Sequence, residues 1–125
     1  MKLPILGKIT SKYGNRVHPI TGVTSFHNGI DISAPEGTEI PSISDGVVNS
    51  IYENTTGGKQ LIIKHDTGFT TGYAHLKKND FFKIGERVLQ GQIVALVGNT
   101  GKSTGAHLHY TLRKNGVLVN PLSYV

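Results

Sequence analysis

The chain has 125 residues, 37% hydrophobic and 17% charged, with no cysteine. That suits one globular domain and excludes a disulfide framework, a thiol nucleophile and a cysteine-based zinc site. Thirteen basic against eight acidic residues give +5, which favours anionic surfaces such as the acidic polymers of a cell wall, while the lack of any basic run leaves nucleic-acid binding unsupported.

The apolar runs are too short to span a membrane. Met1 to Gly7 is too short in its apolar part for a secretory signal. The expectation is a domain excised from a larger protein or a chain exported by another route. In chain order, Glu39 to Ile43 is a short strand candidate, confined to an edge or bend by Pro41. Gly46 to Tyr52 follows the Asp45-Gly46 turn. Gln60 to His65 and Phe69 to His75 flank Asp66-Thr67-Gly68 and should pair as a hairpin. Gln92 to Val97 is a continuous apolar run, read as a buried strand. Gly98 to Ala106 is one Gly/Ser/Thr loop leading into the strand His107 to Lys114, so it should border a site. Val117 to Val119 completes a hairpin across Asn115-Gly116. No window holds a helical apolar period, and sixteen glycines with five prolines mark many turns. Short strands at this spacing predict an all-β sandwich or barrel.

The chemistry lies in the histidines. His107 and His109 lie two residues apart on one strand, so their imidazoles share a face, opposite Leu108 and Tyr110. Far upstream stand His27 and Asp31. Two histidines and an aspartate suit zinc, with a fourth position left for water as in catalytic sites. Spacing does not say which of His107 and His109 would bind; the other could exchange a proton beside the ion. In a straight strand His27 and Asp31 would lie roughly 13 Å apart, too far to share an ion. A bend at Asn28-Gly29, using the dihedral freedom of glycine, would bring them together; the alternative is a loop with an aspartate-capped turn. Tyr73 and His75 share a strand face, and His75 could polarise water or stabilise an oxyanion. His65 and His18 read as structural. Gly98 to Ser103 lacks the P-loop spacing, and no Gly-x-Ser-x-Gly elbow occurs.

These motifs resemble those of the M23 peptidases, the LytM- and lysostaphin-like zinc endopeptidases of bacterial cell walls. His27-Asn28-Gly29-Ile30-Asp31 and His107-Leu108-His109 match the family's His-x-x-x-Asp and His-x-His. Tyr73-Ala74-His75-Leu76 matches its Tyr-Ala-His-Leu. Ser11 to Arg16 and Asn120-Pro121-Leu122 are similar to its opening and closing segments. The resemblance covers about residues 7 to 125, as a single domain 1–125 with a motif core of about 11–122. It implies an antiparallel β-sandwich or barrel-sandwich hybrid with an open groove formed by loops. It also implies one zinc ion per chain on His27, Asp31 and His109, with His75 and His107 as catalytic histidines. The expected substrate is the peptide part of peptidoglycan, cut by a monomer acting at the bacterial cell wall, as a secreted domain excised from a larger protein or a phage-encoded wall-degrading component. Asn28, Tyr73 and Thr104 are candidate substrate-binding residues. Thr111 departs from the glutamate many relatives carry. Two readings compete with the enzyme: a catalytically idle wall-binding module on the same fold, and a phosphate-carrying sugar-transport domain. The first does not need five filled chemical positions, and the second gives no reason for His107-Leu108-His109.

Overall fold

The computed structural model describes residues 1–125. It is all-β apart from a single 3-10 turn at Pro121–Tyr124. In chain order the strands are β1 (Lys8–Ser11), β2 (Gly14–Val17), β3 (Thr24–His27), β4 (Ile30–Ser33), β5 (Glu39–Pro41) and β6 (Gly46–Asn54). They continue as β7 (Gly58–His65), β8 (Phe69–Lys78), β9 (Arg87–Val88), β10 (Ile93–Val97), β11 (His107–Lys114) and β12 (Val117–Val119).

One large antiparallel sheet runs in the order β1-β4-β11-β8-β7-β6-β9. β10 joins β8 to β5, and β12 pairs with β11. The β7–β8 and β11–β12 hairpins form as their turns predict. Asn115 and Gly116 both take positive φ, 50° and 83°, the requirement of a tight two-residue hairpin. Pro41 ends β5, which pairs only with β10 and so lies at an edge.

The core gathers on one face. Ile30 and Ile32 of β4, Leu108 and Tyr110 of β11, and Leu61 and Ile63 of β7 are all essentially inaccessible. At roughly 25 cal/mol per Å² of apolar surface, such residues contribute about 1.5–3 kcal/mol each. Because side chains alternate, burying Leu108 and Tyr110 forces His107 and His109 onto the opposite face.

The structure adds strands that the sequence reading left as loop. β1, β2, β3, β4 and β9 are two to four residues long, too short for an alternating pattern to show. Their existence rests on partners: β4 is held between β1 and β11, and β2 pairs only with β3. Two local expectations are also corrected. Gly29 does not take a positive φ. Its hydrogen is needed because a Cβ there would lie 2.2 Å from the Tyr110 carbonyl oxygen, so the constraint is close approach of backbones rather than dihedral freedom. Tyr73 and His75 do not share a face either. His75 takes φ 60°, an uncommon conformation for a side-chain-bearing residue. The register with β7 slips around this position, so Thr71, Tyr73 and then Leu76 turn into the core, while His75 is thrown out toward the opposite side.

Candidate metal centre

Four strands deliver the chemistry to one open groove of about 570 Å³. β3 ends on His27, β4 carries Asp31, β8 carries His75, and β11 carries His107 and His109. The register explains the meeting: His109 lies opposite Asp31 on one side and opposite Ala74 on the other. Between β3 and β4 the chain breaks at Asn28-Gly29, which brings His27 back over Asp31. His27 Nε2 stands 3.5 Å from Asp31 Oδ1, and His109 Nδ1 stands 2.9 Å from the same oxygen.

One donor atom from each of His27, Asp31 and His109 falls within 4.8 Å of the others. Two imidazole nitrogens and a carboxylate oxygen converging in this way fit a divalent cation. The outer nitrogens of His27 and His109 are also occupied. His27 Nδ1 lies 3.0 Å from the Lys12 carbonyl oxygen, and His109 Nε2 lies 2.8 Å from Asn28 Oδ1. His27 thus donates outward and turns Nε2 to the centre, while His109 is held between Asp31 and Asn28, contacts of the kind that orient metal-binding imidazoles. Asp31 is half-buried. Loss of water would raise its pKa, but the hydrogen bond from His109 and the charges of His109, His27 and His107 outweigh this and hold it below the ordinary value.

His107 does not join the donor cluster. Its Nε2 is 3.9 Å from Asp31 Oδ1. Its Nδ1 lies 2.8 Å from the Gly105 carbonyl oxygen. Its ring centroid is 4.8 Å from that of His75. The His75 Nδ1 lies 2.7 Å from the Thr100 carbonyl oxygen. Both rings thus donate from Nδ1 and leave Nε2 free. Burial, chiefly, lowers the pKa of His75; the neighbouring His107 and His109 add to the effect, against the pull of the Thr100 carbonyl and of Asp31. His75 is thereby held in the neutral form that can accept a proton.

The groove is polar: Ala74 is the only hydrophobic residue lining it. One wall is the β6–β7 connection, with Asn54, Thr56 and Gly57; the other includes Ser103 and Thr104. Thr104 is exposed on that wall. Asn28 lines the groove but its side-chain oxygen is taken by His109. Tyr73 is 2% exposed and its hydroxyl donates to Thr71 Oγ1 at 2.8 Å. It packs beneath the sheet, so the expected substrate contact from its side chain is replaced by a structural role. Residues 54–57 had no signal in the sequence, since an Asn-Thr-Thr-Gly turn looks like any other. His65 and His18 are structural, as expected. His65 is buried against Ser44 and Thr71, and His18 Nδ1 accepts backbone N–H groups of Ile20 and Thr21.

Residues 25–121 match the sequence profile of Peptidase family M23. The chain is 41% identical over 115 residues to peptidoglycan DD-endopeptidase ShyC of Vibrio cholerae, covering 91% of this chain and 26% of that protein. It superposes on a zinc-containing peptidase from Vibrio cholerae with TM-score 0.84 and 37% identity, over 91% of this chain and 35% of the other. It superposes on the catalytic domain of the antimicrobial peptidase lysostaphin from Staphylococcus simulans with TM-score 0.80 and 30% identity, over 94% and 91% of the two chains. The chain spans about a quarter of the length of the curated relatives it matches.

Proposed function

From the premise that the chain belongs to peptidase family M23, we propose that it is a zinc-dependent endopeptidase cutting the peptide cross-links or bridges of bacterial peptidoglycan. The observation that carries this reading is the groove itself. A three-donor cluster, His27, Asp31 and His109, adjoins two further histidines whose Nε2 atoms are uncommitted. An idle wall-binding module has no need of that second pair.

His27 Nε2, Asp31 Oδ1 and His109 Nδ1 would hold the ion. Zinc, when bound, supplies Lewis-acid activation of water and of a peptide carbonyl. The chain's own groups manage protons. His75 or His107, each with a free Nε2, accepts a proton as water adds to the scissile carbonyl carbon. The new C–O bond forms, the C–N bond then breaks, and the same proton is returned to the departing amine nitrogen. The other imidazole can donate a hydrogen bond to the carbonyl oxygen as negative charge grows there. Two rings 4.8 Å apart disfavour double protonation by mutual repulsion, which suits a single proton passed between water and amine. All five groups come from one chain, so the reading requires no second copy and agrees with a monomer. A polar, open groove suits an extended hydrated peptide, and the cell wall is the place of action.

The test is digestion of purified peptidoglycan by protein loaded with zinc. New free amino groups should appear, chelator should stop their release, and zinc should restore it. Asp31 is the only carboxylate lining the groove, whereas glycoside hydrolysis calls for a pair. Release of reducing sugar ends without new amines would overturn the proposal. A zinc-loaded protein that binds walls without cleaving them would instead identify the idle module.

A further inference from the structure

His75 is held in an uncommon backbone conformation by two contacts, and neither comes from the strands flanking β8. Its N–H donates to the Gly57 carbonyl oxygen at 2.7 Å, and its Nδ1 donates to the Thr100 carbonyl oxygen at 2.7 Å. Gly57 belongs to the turn between β6 and β7, and Thr100 to the loop between β10 and β11. The ring is therefore only as fixed as these two loops are relative to each other.

The loops are tied by the Thr100 side chain. Its Oγ1 accepts the Lys59 N–H at 3.1 Å and donates to the Leu76 carbonyl oxygen at 2.7 Å. The hydroxyl thus uses its hydrogen and a lone pair to bridge the start of β7 and the residue after His75. A second tie runs from Lys102 N–H to the Thr56 carbonyl oxygen at 2.9 Å. No side chain separates the two loops. A Cβ on Gly58 would lie 2.3 Å from Thr100 Oγ1, and one on Gly101 would lie 2.3 Å from the Gly58 nitrogen. Both glycines also have positive φ, 64° and 74°, so substitution there is disfavoured twice over.

We propose that Thr100 is a positioning residue for His75: its hydroxyl locks the loop whose carbonyl holds the imidazole as the Nδ1–H tautomer, with the Nε2 lone pair presented to the groove. Which nitrogen of an imidazole carries the proton is set by the hydrogen bond the other makes. A ring freed from Thr100 would distribute its proton over both nitrogens and lose its aim. The proposal rests on the reading of His75 as a proton-transfer residue.

The experiment compares Thr100→Val, which keeps the shape but removes the hydroxyl, with Thr100→Ser, which keeps the hydroxyl. Thr100→Ala, which also removes the hydroxyl but introduces no larger group, serves if the valine variant fails to fold. The His75 tautomer is read by nitrogen-15 NMR of the imidazole in metal-free protein, where no turnover is involved. Steady-state rates are read on a cross-linked peptidoglycan peptide with the zinc-loaded protein. Thr100→Val should convert the His75 signal from one tautomer to a mixture. It should lower kcat about tenfold or more, with the ~10²–10⁴-fold that a whole general acid–base group supplies as the ceiling, and leave KM within about twofold because ground-state binding is untouched. Thr100→Ser should restore both readouts, and Thr100→Ala should reproduce the loss. A folded Thr100→Val protein that retains the parent tautomer overturns the proposal, whatever its rate. So does a scrambled tautomer with unchanged kcat. If His75→Ala remains fully active, the catalytic reading of His75 fails separately, while the tautomer measurement still decides whether Thr100 sets the ring.

Discussion

Thr71→Val tests a buried hydrogen-bond chain that crosses β8. Thr71, fully buried on β8, stands in a directed chain of hydrogen bonds. Tyr73 O–H donates to Thr71 Oγ1 at 2.8 Å, Thr71 donates to His65 Nε2 at 2.7 Å, and His65 Nδ1–H donates to the Ser44 carbonyl oxygen at 3.0 Å. All three side chains are at most 3% exposed. Valine preserves the volume but strips the middle of the chain, leaving the Tyr73 hydroxyl and His65 Nε2 without partners. Each orphaned buried group costs about 1–3 kcal/mol, so the variant should lose about 2–6 kcal/mol. That is a large share of the roughly 5–15 kcal/mol that holds a domain together. The assay is urea unfolding of metal-free protein near neutral pH, since bound metal would add its own linkage. Adding Tyr73→Phe to Thr71→Val removes one orphan and should recover about 1 kcal/mol or more, a coupling that two independent sites would not show. A Thr71→Val protein within about 0.5 kcal/mol of the parent, the range of an ordinary surface change, would refute the network as drawn.

Removal of single groups should separate holding from chemistry. His109→Ala should abolish stoichiometric metal binding in elemental analysis, whereas His75→Ala and His107→Ala should retain metal and lose about 10²–10⁴-fold in turnover. If His107→Ala loses metal and His109→Ala keeps it, the assignment within that pair is reversed. Asn28→Ala should weaken metal binding about tenfold, the low end for an outer-shell partner because the bond to His109 is exposed; chelator competition measures it, and an unchanged affinity would return Asn28 to a purely substrate-facing role. Stability should also fall on mild acidification. Burial lowers the pKa of His65, against the opposing carbonyls of Ser44 and Asp45 and the charge of Asp66. The unfolded chain thus takes up a proton below about 6.5 that the folded chain resists. This contribution is complete above that pH and is lost as pH falls toward the depressed folded value. Urea midpoints across that window should drop more steeply in the parent than in a His65→Gln variant.

The order and chemistry of the site were legible in the residues. His107 and His109 sit on one face because strand geometry allows nothing else once Leu108 and Tyr110 are buried. Asn115-Gly116 and Asp66-Thr67-Gly68 announce their hairpins through turn chemistry that is local to a few residues. Periodicity alone left open which member of the histidine pair would bind an ion; motif resemblance supplied that choice.

Long-range pairing decided the rest. β1 to β4 carry no repeating pattern long enough to read, and β4 is a strand because β1 and β11 flank it. Gly29 is required by a carbonyl eighty-one positions away in sequence, at Tyr110. Regular alternation from Tyr73 predicts an inward His75. The irregularity that turns it outward is stabilised by carbonyls of Gly57 and Thr100, on loops that meet only when the sheet has assembled. The sequence by itself determines which groups are available and which face each regular strand offers, because those depend on covalent geometry and nearest neighbours. The distances that bring three candidate metal donors and two further histidines into one groove depend on backbone approaches between segments distant in the chain, and only the tertiary structure decides them.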